Sequence, residues 1–177
     1  GAESSSTVLG LVLLLTPSLF LGSAFLLLLA AIHQAAMPDR KLWSLSALVF
    51  GTIYTALISI NYFVQLAWVA PRLAAGRPEG LGPFLFVPFD SFLYAVDILG
   101  YGFMSVATLL AARVFAGPGL ERTARWLLTA NGLLLPFITL QMYAHWMIWI
   151  AALWAVTFPG ATWTLAVWFQ RQRTAEA

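Results

Sequence analysis

Five apolar stretches, each close to or above the length needed to cross a bilayer, leave this chain very few ways to fold. A helix across the hydrocarbon core needs about 20 mainly apolar residues. Residues 8–32, 43–70 and 89–115 satisfy that requirement one after another. The largely apolar stretch from Trp126 to Phe169 is too long for one crossing. Its strongest polar break, Gln141-Met142-Tyr143-Ala144-His145, divides it into spans at 126–143 and 146–169. The expected fold is all-α: residues 1–177 form a single five-helix transmembrane bundle in one domain.

Composition agrees. Sixty-one per cent of the residues are hydrophobic and 9% are charged, against about 25% charged in soluble domains. Lipid, the first expected partner, must therefore solvate most of the surface. With a formal charge of +2, and with basic residues at span ends instead of in a patch, no nucleic-acid partner is expected. The absence of cysteine excludes disulfides, thiolate metal sites and cysteine nucleophiles. Gly1 to Thr7 is small and polar and is expected to be disordered. The apolar run behind it lacks a basic flank and is too long for a signal-peptide core, so it reads as a true span. Pro17, Pro136 and Pro159 fall inside spans, where neighbouring helices can satisfy the freed carbonyls, and kinks are expected there.

The cations set the expected orientation. Arg40, Lys41, Arg113, Arg122, Arg125, Arg171 and Arg173 fall on one side of a five-span layout, and only Arg72 and Arg77 on the other. The positive-inside rule then puts the N-terminus outside and the C-terminus in the cytoplasm. Trp43, Trp126 and Trp168 at inner boundaries, and Trp68, Trp146 and Trp149 at outer ones, fit aromatic belts. The external loop, 71–88, has a Gly/Pro-rich first half and an apolar second half, Phe84 to Phe89. That second half reads as an interfacial anchor or as a lid over an outer-leaflet pocket.

Ionisable groups inside a membrane are functional candidates by default. Asp97 lies about 10 Å deeper than Asp90 at about 1.5 Å per helical residue. Asp90, Tyr94, Asp97, Tyr101 and Met104 recur at helical spacing and are expected on one inward face. Span two offers a matching stripe of Tyr54, Asn61, Gln65 and Trp68, with Thr55, Ser59 and Tyr62 beside it. Asn61 or Gln65 can then meet Asp97 across antiparallel helices. Gln141, Tyr143, His145, Trp146 and Trp149 belong to the same outer end. The candidate ligand-binding residues are Asn61, Gln65, Asp90, Tyr94, Tyr101, Gln141, His145, Trp146 and Trp149, and the candidate catalytic residue is Asp97.

Other chemistries find less support. His33 and His145 stand nearly a full hydrocarbon thickness apart, about 30 Å, and cannot sandwich one haem. Neither has a carboxylate or cysteine at metal-ligand spacing, so no metal and no cofactor is expected. Gly100-Tyr101-Gly102 echoes part of a potassium-filter sequence but lies inside a long apolar helix, where two small residues permit close packing. Lys41 falls outside the bundle, which argues against a retinal Schiff base. No phosphate-binding glycine loop, serine elbow or HExxH pattern occurs.

Around Asn61-Tyr-Phe-Val-Gln65, Asp97-Ile-Leu-Gly-Tyr-Gly102 and Leu120-Glu-Arg122, the chain resembles small multi-pass membrane proteins of bacteria. No functional residues are established for that group, so the resemblance implies a bacterial cytoplasmic membrane and carries over no site. Three functions compete. One is binding of a lipid-soluble small molecule in an outer-leaflet pocket. A second is service as an accessory subunit docked on a membrane-protein partner or on a copy of itself. The third is an isomerase or cyclase with Asp97 as general acid and Asn61, Gln65 or Tyr101 positioning the substrate.

Topology is directly testable. Reporter fusions after Leu42 and at the C-terminal tail should score as cytoplasmic and one at Gly80 as external. An external tail would remove the five-span arrangement.

Overall fold

The computed structural model describes residues 7–176, so nearly all of the expected Gly1–Thr7 tail lies outside the described residues. Every regular element among them is helical. Helix α1 is Val8–Ala35, capped by the Thr7 hydroxyl, which accepts from the Gly10 amide at 3.1 Å. Helix α2 is Lys41–Val64 and runs on through a π turn at Gln65–Val69 into a last α turn, Ala70–Ala74. Helix α3 is Phe92–Ala112, α4 is Leu120–Gly132 and α5 is Leu135–Leu140. A single turn, Ile148–Ala151, leads into α6, Trp154–Glu176.

Four helical segments are long and apolar enough to cross a membrane: Val8–Ala35, Pro38–Ala74, Phe92–Ala112 and His145–Thr174. The expected fourth span, 126–143, is not one of them. Its helix begins earlier, at Leu120, and breaks after Gly132. Pro136 causes part of that break. It has no N–H to continue a helix, so it occupies the first turn of a new one, where that lack costs nothing. The expected interior kink at Pro136 is therefore a helix start. Pro17 and Pro159 do lie inside α1 and α6. The third span is shorter than 89–115 because Ser91 caps it, its hydroxyl accepting from the Tyr94 amide at 3.2 Å.

Helix α3 is the centre of the bundle and packs against α2, α4 and α5, while α1 packs on α2 and α6 on α4. Small residues allow this. A methyl group on Gly100 would stand 3.0 Å from Ile58 Cδ1 of α2, and one on Gly102 would stand 3.4 Å from Thr139 Cγ2 of α5. The outward faces are apolar: Phe20, Leu27, Ile60, Phe63 and Trp163 are exposed, while Asn61, Gln65, Asp97 and Asn131 are buried. That inversion suits a lipid solvent.

Contacts gather at two ends. Arg40 Nη1 donates to the Arg113 carbonyl at 2.6 Å, and Phe115 packs edge-on against Trp168 at 5.5 Å. The first loop, the turn after α3 and the far part of α6 thus share one end. Phe89 stacks on His145 at 4.3 Å and Phe86 packs on Tyr94 at 5.5 Å, so the second loop and the 141–147 turn share the other.

Gly132 sits where α4 presses on α3. A Cβ there would fall 2.7 Å from the Ser105 carbonyl and collide with the Leu109 side chain. Gly132→Ala should lower stability by about 1–3 kcal/mol, the usual range for overpacking. Gly82→Ala, with open space around it, should be neutral. Thermal unfolding of both variants in one detergent checks this, and equal melting would show that α3 and α4 do not meet so closely.

Candidate functional site

Asn61 and Asp97 meet in the interior between α2 and α3. Asn61 Nδ2 donates to Asp97 Oδ1 at 3.3 Å and to the Leu93 carbonyl at 3.1 Å. The carboxyl points inward, and Asp97 is only 7% exposed. Both residues arrive by helical periodicity: Asn61 follows Tyr54 and Ile58 down the buried face of α2, and Asp97 follows Tyr94 on α3.

Three tyrosines surround the pair. The Tyr62 hydroxyl lies 3.5 Å from that of Tyr101. The rings of Tyr54 and Tyr101 stand 5.6 Å apart. On the other side of Asp97, the Tyr94 hydroxyl donates to Gln141 Oε1 at 3.0 Å, and Gln141 Nε2 donates to the Ile138 carbonyl at 2.8 Å. This links α3 to the end of α5.

Beside these groups lies a cavity of about 260 Å³, open on one side. Tyr94, Asp97, Tyr101 and Gln141 supply its polar wall, and Ile98, Ile138, Ala151 and Trp154 are among its apolar lining. Trp154 meets Tyr101 edge-on at 5.8 Å and stacks on Phe158 at 5.3 Å, which fixes its indole in the wall. A small apolar chamber with a few convergent polar groups is the usual form of a ligand site.

The expected residues divide accordingly. Tyr94, Asp97, Tyr101 and Gln141 line the cavity, and Asn61 stands behind Asp97 as its donor. Gln65 does not reach Asp97. Its Nε2 donates to the Phe84 carbonyl at 2.5 Å and so ties α2 to the second loop. Asp90 is not on the helical face expected of it, because it precedes the Ser91 cap and is exposed. Trp146 and Trp149 are 58% and 80% exposed, on the outside of their turn, and neither lines the cavity. His145 is exposed and stacks on Phe89, whose φ of 65° is rare for a bulky residue.

The apolar half of the second loop is held by side chains. Phe84 meets Trp68 edge-on at 4.7 Å, and Phe86 and Phe89 both pack against Tyr94. The segment therefore covers the cavity's tyrosine from the loop side. Beyond Gln65, the Ala70 amide bonds the Gln65 carbonyl five residues back, the mark of a π turn. Such turns are frequent at functional sites.

A second polar cluster has no counterpart in the sequence reading. Asn131 Nδ2 donates to Thr108 Oγ1 at 3.3 Å, and Thr157 Oγ1 donates to Asn131 Oδ1 at 2.9 Å, which joins α3, α4 and α6. Asn131 and Thr108 are fully buried. The available signal was a lone asparagine within an apolar run, the same signal that marked Asn61. No group of three or more His, Cys, Asp or Glu side chains that could hold a metal occurs among the described residues.

Comparison of the chain with protein-family models, curated proteins and solved structures gives no significant match.

The two asparagines should respond differently to replacement. In Asn131→Leu the Thr108 and Thr157 hydroxyls keep their bonds to the Ser105 and Leu153 carbonyls. The loss should be about 1 kcal/mol for two interhelical bonds. Asn61→Leu removes the amide donor from a buried carboxyl, and stranding a buried polar group costs about 1–3 kcal/mol or more. Melting temperatures in one detergent should therefore fall further for Asn61→Leu. The reverse order would contradict the assignment of Asn61 as the partner of Asp97.

Proposed function

We propose that the chain is a binding protein of the bacterial cytoplasmic membrane, holding a lipid-soluble small molecule against Asp97. In this reading it crosses the membrane five times, with its N-terminus outside and its C-terminus in the cytoplasm. The broken helix 120–140 is the fourth crossing. Its 21 residues correspond to about 31 Å of helix, close to the ~30 Å of the hydrocarbon core. The sharing of one end by the first loop, the turn after α3 and the far part of α6 supports that count. The bias of basic residues toward that end supports the orientation.

The observation that carries the binding reading is the cavity beside Asp97, apolar over most of its wall and polar at one edge. Its volume, about 260 Å³, lies just below the usual range of about 300–1,000 Å³. It suits a head group or a compact molecule, with any apolar tail leaving through the open side. Asp97, Tyr101 and Gln141 present oxygen and nitrogen atoms to a polar head, and Ile98, Ile138 and Trp154 accept hydrocarbon. An isomerase is the weaker reading. The wall holds one carboxyl and no basic side chain, so proton removal and return would both fall on Asp97.

Asp97→Asn tests the proposal. The amide keeps the size and much of the hydrogen bonding while removing the acid. The variant should insert and melt close to wild type yet lose its co-purifying small molecule, measured by mass spectrometry of an organic extract of each protein. Equal small-molecule content at equal melting would reduce Asp97 to an interhelical hydrogen-bonding group.

A further inference from the structure

At the first-loop end, away from the Asp97 cavity, two arginines from different elements line one cleft of about 270 Å³ together with Ala112, Trp126 and Thr129. Arg113 is the residue that ends α3, and its guanidinium lies over the Trp43 ring at 5.7 Å. Arg125 comes from α4, and its Nη1 donates to the Phe115 carbonyl at 3.2 Å. Each side chain is thus held at one point, while a guanidinium carries five N–H donors. Most of that donor capacity is left for a ligand.

No carboxylate lines the cleft. The acid closest in sequence to Arg125, Glu121, is turned toward its own loop, where Oε2 accepts from the Ala116 and Gly117 amides at 3.1 and 2.7 Å. Among the described residues the one ion pair joins Arg40 to Asp39, and none pairs with either cleft arginine. Two guanidinium groups thus line one cleft, each with a planar donor fork of the kind that matches the oxygens of a phosphate. Trp126 is 66% exposed beside them, as a side chain at the level of lipid head groups would be.

From this geometry we infer that the Arg113–Arg125 cleft binds a phosphate group, that of an anionic glycerophospholipid seated with its head between α3 and α4 and its acyl chains along their apolar outer faces. Basic pockets between transmembrane helices take such head groups elsewhere. The site is independent of whatever occupies the Asp97 cavity. It differs from a general attraction of the basic end for an acidic surface, because it depends on two particular arginines and not on the tail.

Native mass spectrometry of the full chain from bilayer discs of mixed phosphatidylglycerol and phosphatidylcholine tests this. Wild type should retain phosphatidylglycerol in preference, and R113Q/R125Q should lose that preference by roughly tenfold or more. R171Q/R173Q, which removes the same charge from the tail, should keep it. Should R113Q/R125Q not fold, R113K/R125K retains the charge without the fork and is expected to weaken retention in part. Inorganic phosphate is the second probe. Displacement of the lipid only by high phosphate supports a lipid site. Tight phosphate binding that depends on the same arginines and persists in detergent without lipid supports the phosphate site but assigns it to a soluble ligand. No preference for phosphatidylglycerol together with no arginine-dependent phosphate binding overturns the inference, as does equal loss in the tail variant.

Discussion

Inside hydrocarbon there is no water to complete a hydrogen bond, so each polar group of the interior needs a partner supplied by the chain. Much of this bundle follows from that requirement. The hydroxyls of Thr52, Ser105, Thr162 and Thr164 fold back onto carbonyls one turn earlier in their own helices, and Thr55 reaches across to the Gly22 carbonyl of α1. The larger groups are not fully satisfied locally. Asn61, Asp97, Gln141 and Asn131 each need a second helix or a loop, and their pairings cross the contacts around α3. That helix is central because it combines polar groups needing partners with the small residues, Gly100, Gly102 and Ser105, that let partners approach.

The outer features of the fold were legible because hydropathy records them directly. Long apolar runs gave α1, α2 and α3 to within a few residues, and the polar run at 141–145 marked a real turn. The Asn61–Asp97 contact was legible for a different reason. Both are costly in lipid, and antiparallel helices joined by one loop bring equal depths together. Gly100 and Gly102 also serve close packing, each against a different neighbour. What remained hidden was set by competition between neighbours. A break at 133–134 follows from Gly132 pressed against α3 followed by Pro136, and hydropathy does not register a close backbone approach. Asp90 looked periodic with Asp97, but the Ser91 hydroxyl caps the helix on the Tyr94 amide and the helix starts beyond Asp90. Trp146 and Trp149 lie near the end of the bundle that holds the second loop, yet which face they present depends on the tight turns at 145–151, not on helical spacing.

Gln65 shows how a small backbone change redirects a side chain's role. Asn61 and Gln65 are four residues apart and buried on the same face of α2, yet one addresses α3 and the other a loop carbonyl. The π turn starts at Gln65 and holds one residue more than an α turn would, so the residues after it are rotated relative to the helix before. Val69 at the end of the turn and Ala70 just beyond it are buried, and Trp68 turns to receive Phe84. The end of α2 is thereby fitted to the second loop, which in turn packs Phe86 and Phe89 on the cavity tyrosine.

The contrast between the two buried asparagines bears on whether the Asp97 cluster is structural glue or a site. Asn131 has its nitrogen and its oxygen both engaged, by Thr108 and Thr157 on two other helices. Interhelical glue should look like this, because an unmet polar atom cancels much of what a bond contributes. At Asn61 only the nitrogen is used. Its Oδ1 is buried without a hydrogen-bond partner, as is Gln65 Oε1 one turn on, and so is Trp154 Nε1 in the cavity wall. If packing alone were at stake, an apolar side chain at position 61 and another at 97 would fill the same space without leaving acceptors unmet. The cluster instead keeps a carboxyl that needs a donor, a donor that strands its own oxygen, and an open-sided cavity beside them. Those costs fall together at one place, while the equally buried Asn131 engages both its nitrogen and its oxygen and strands neither atom.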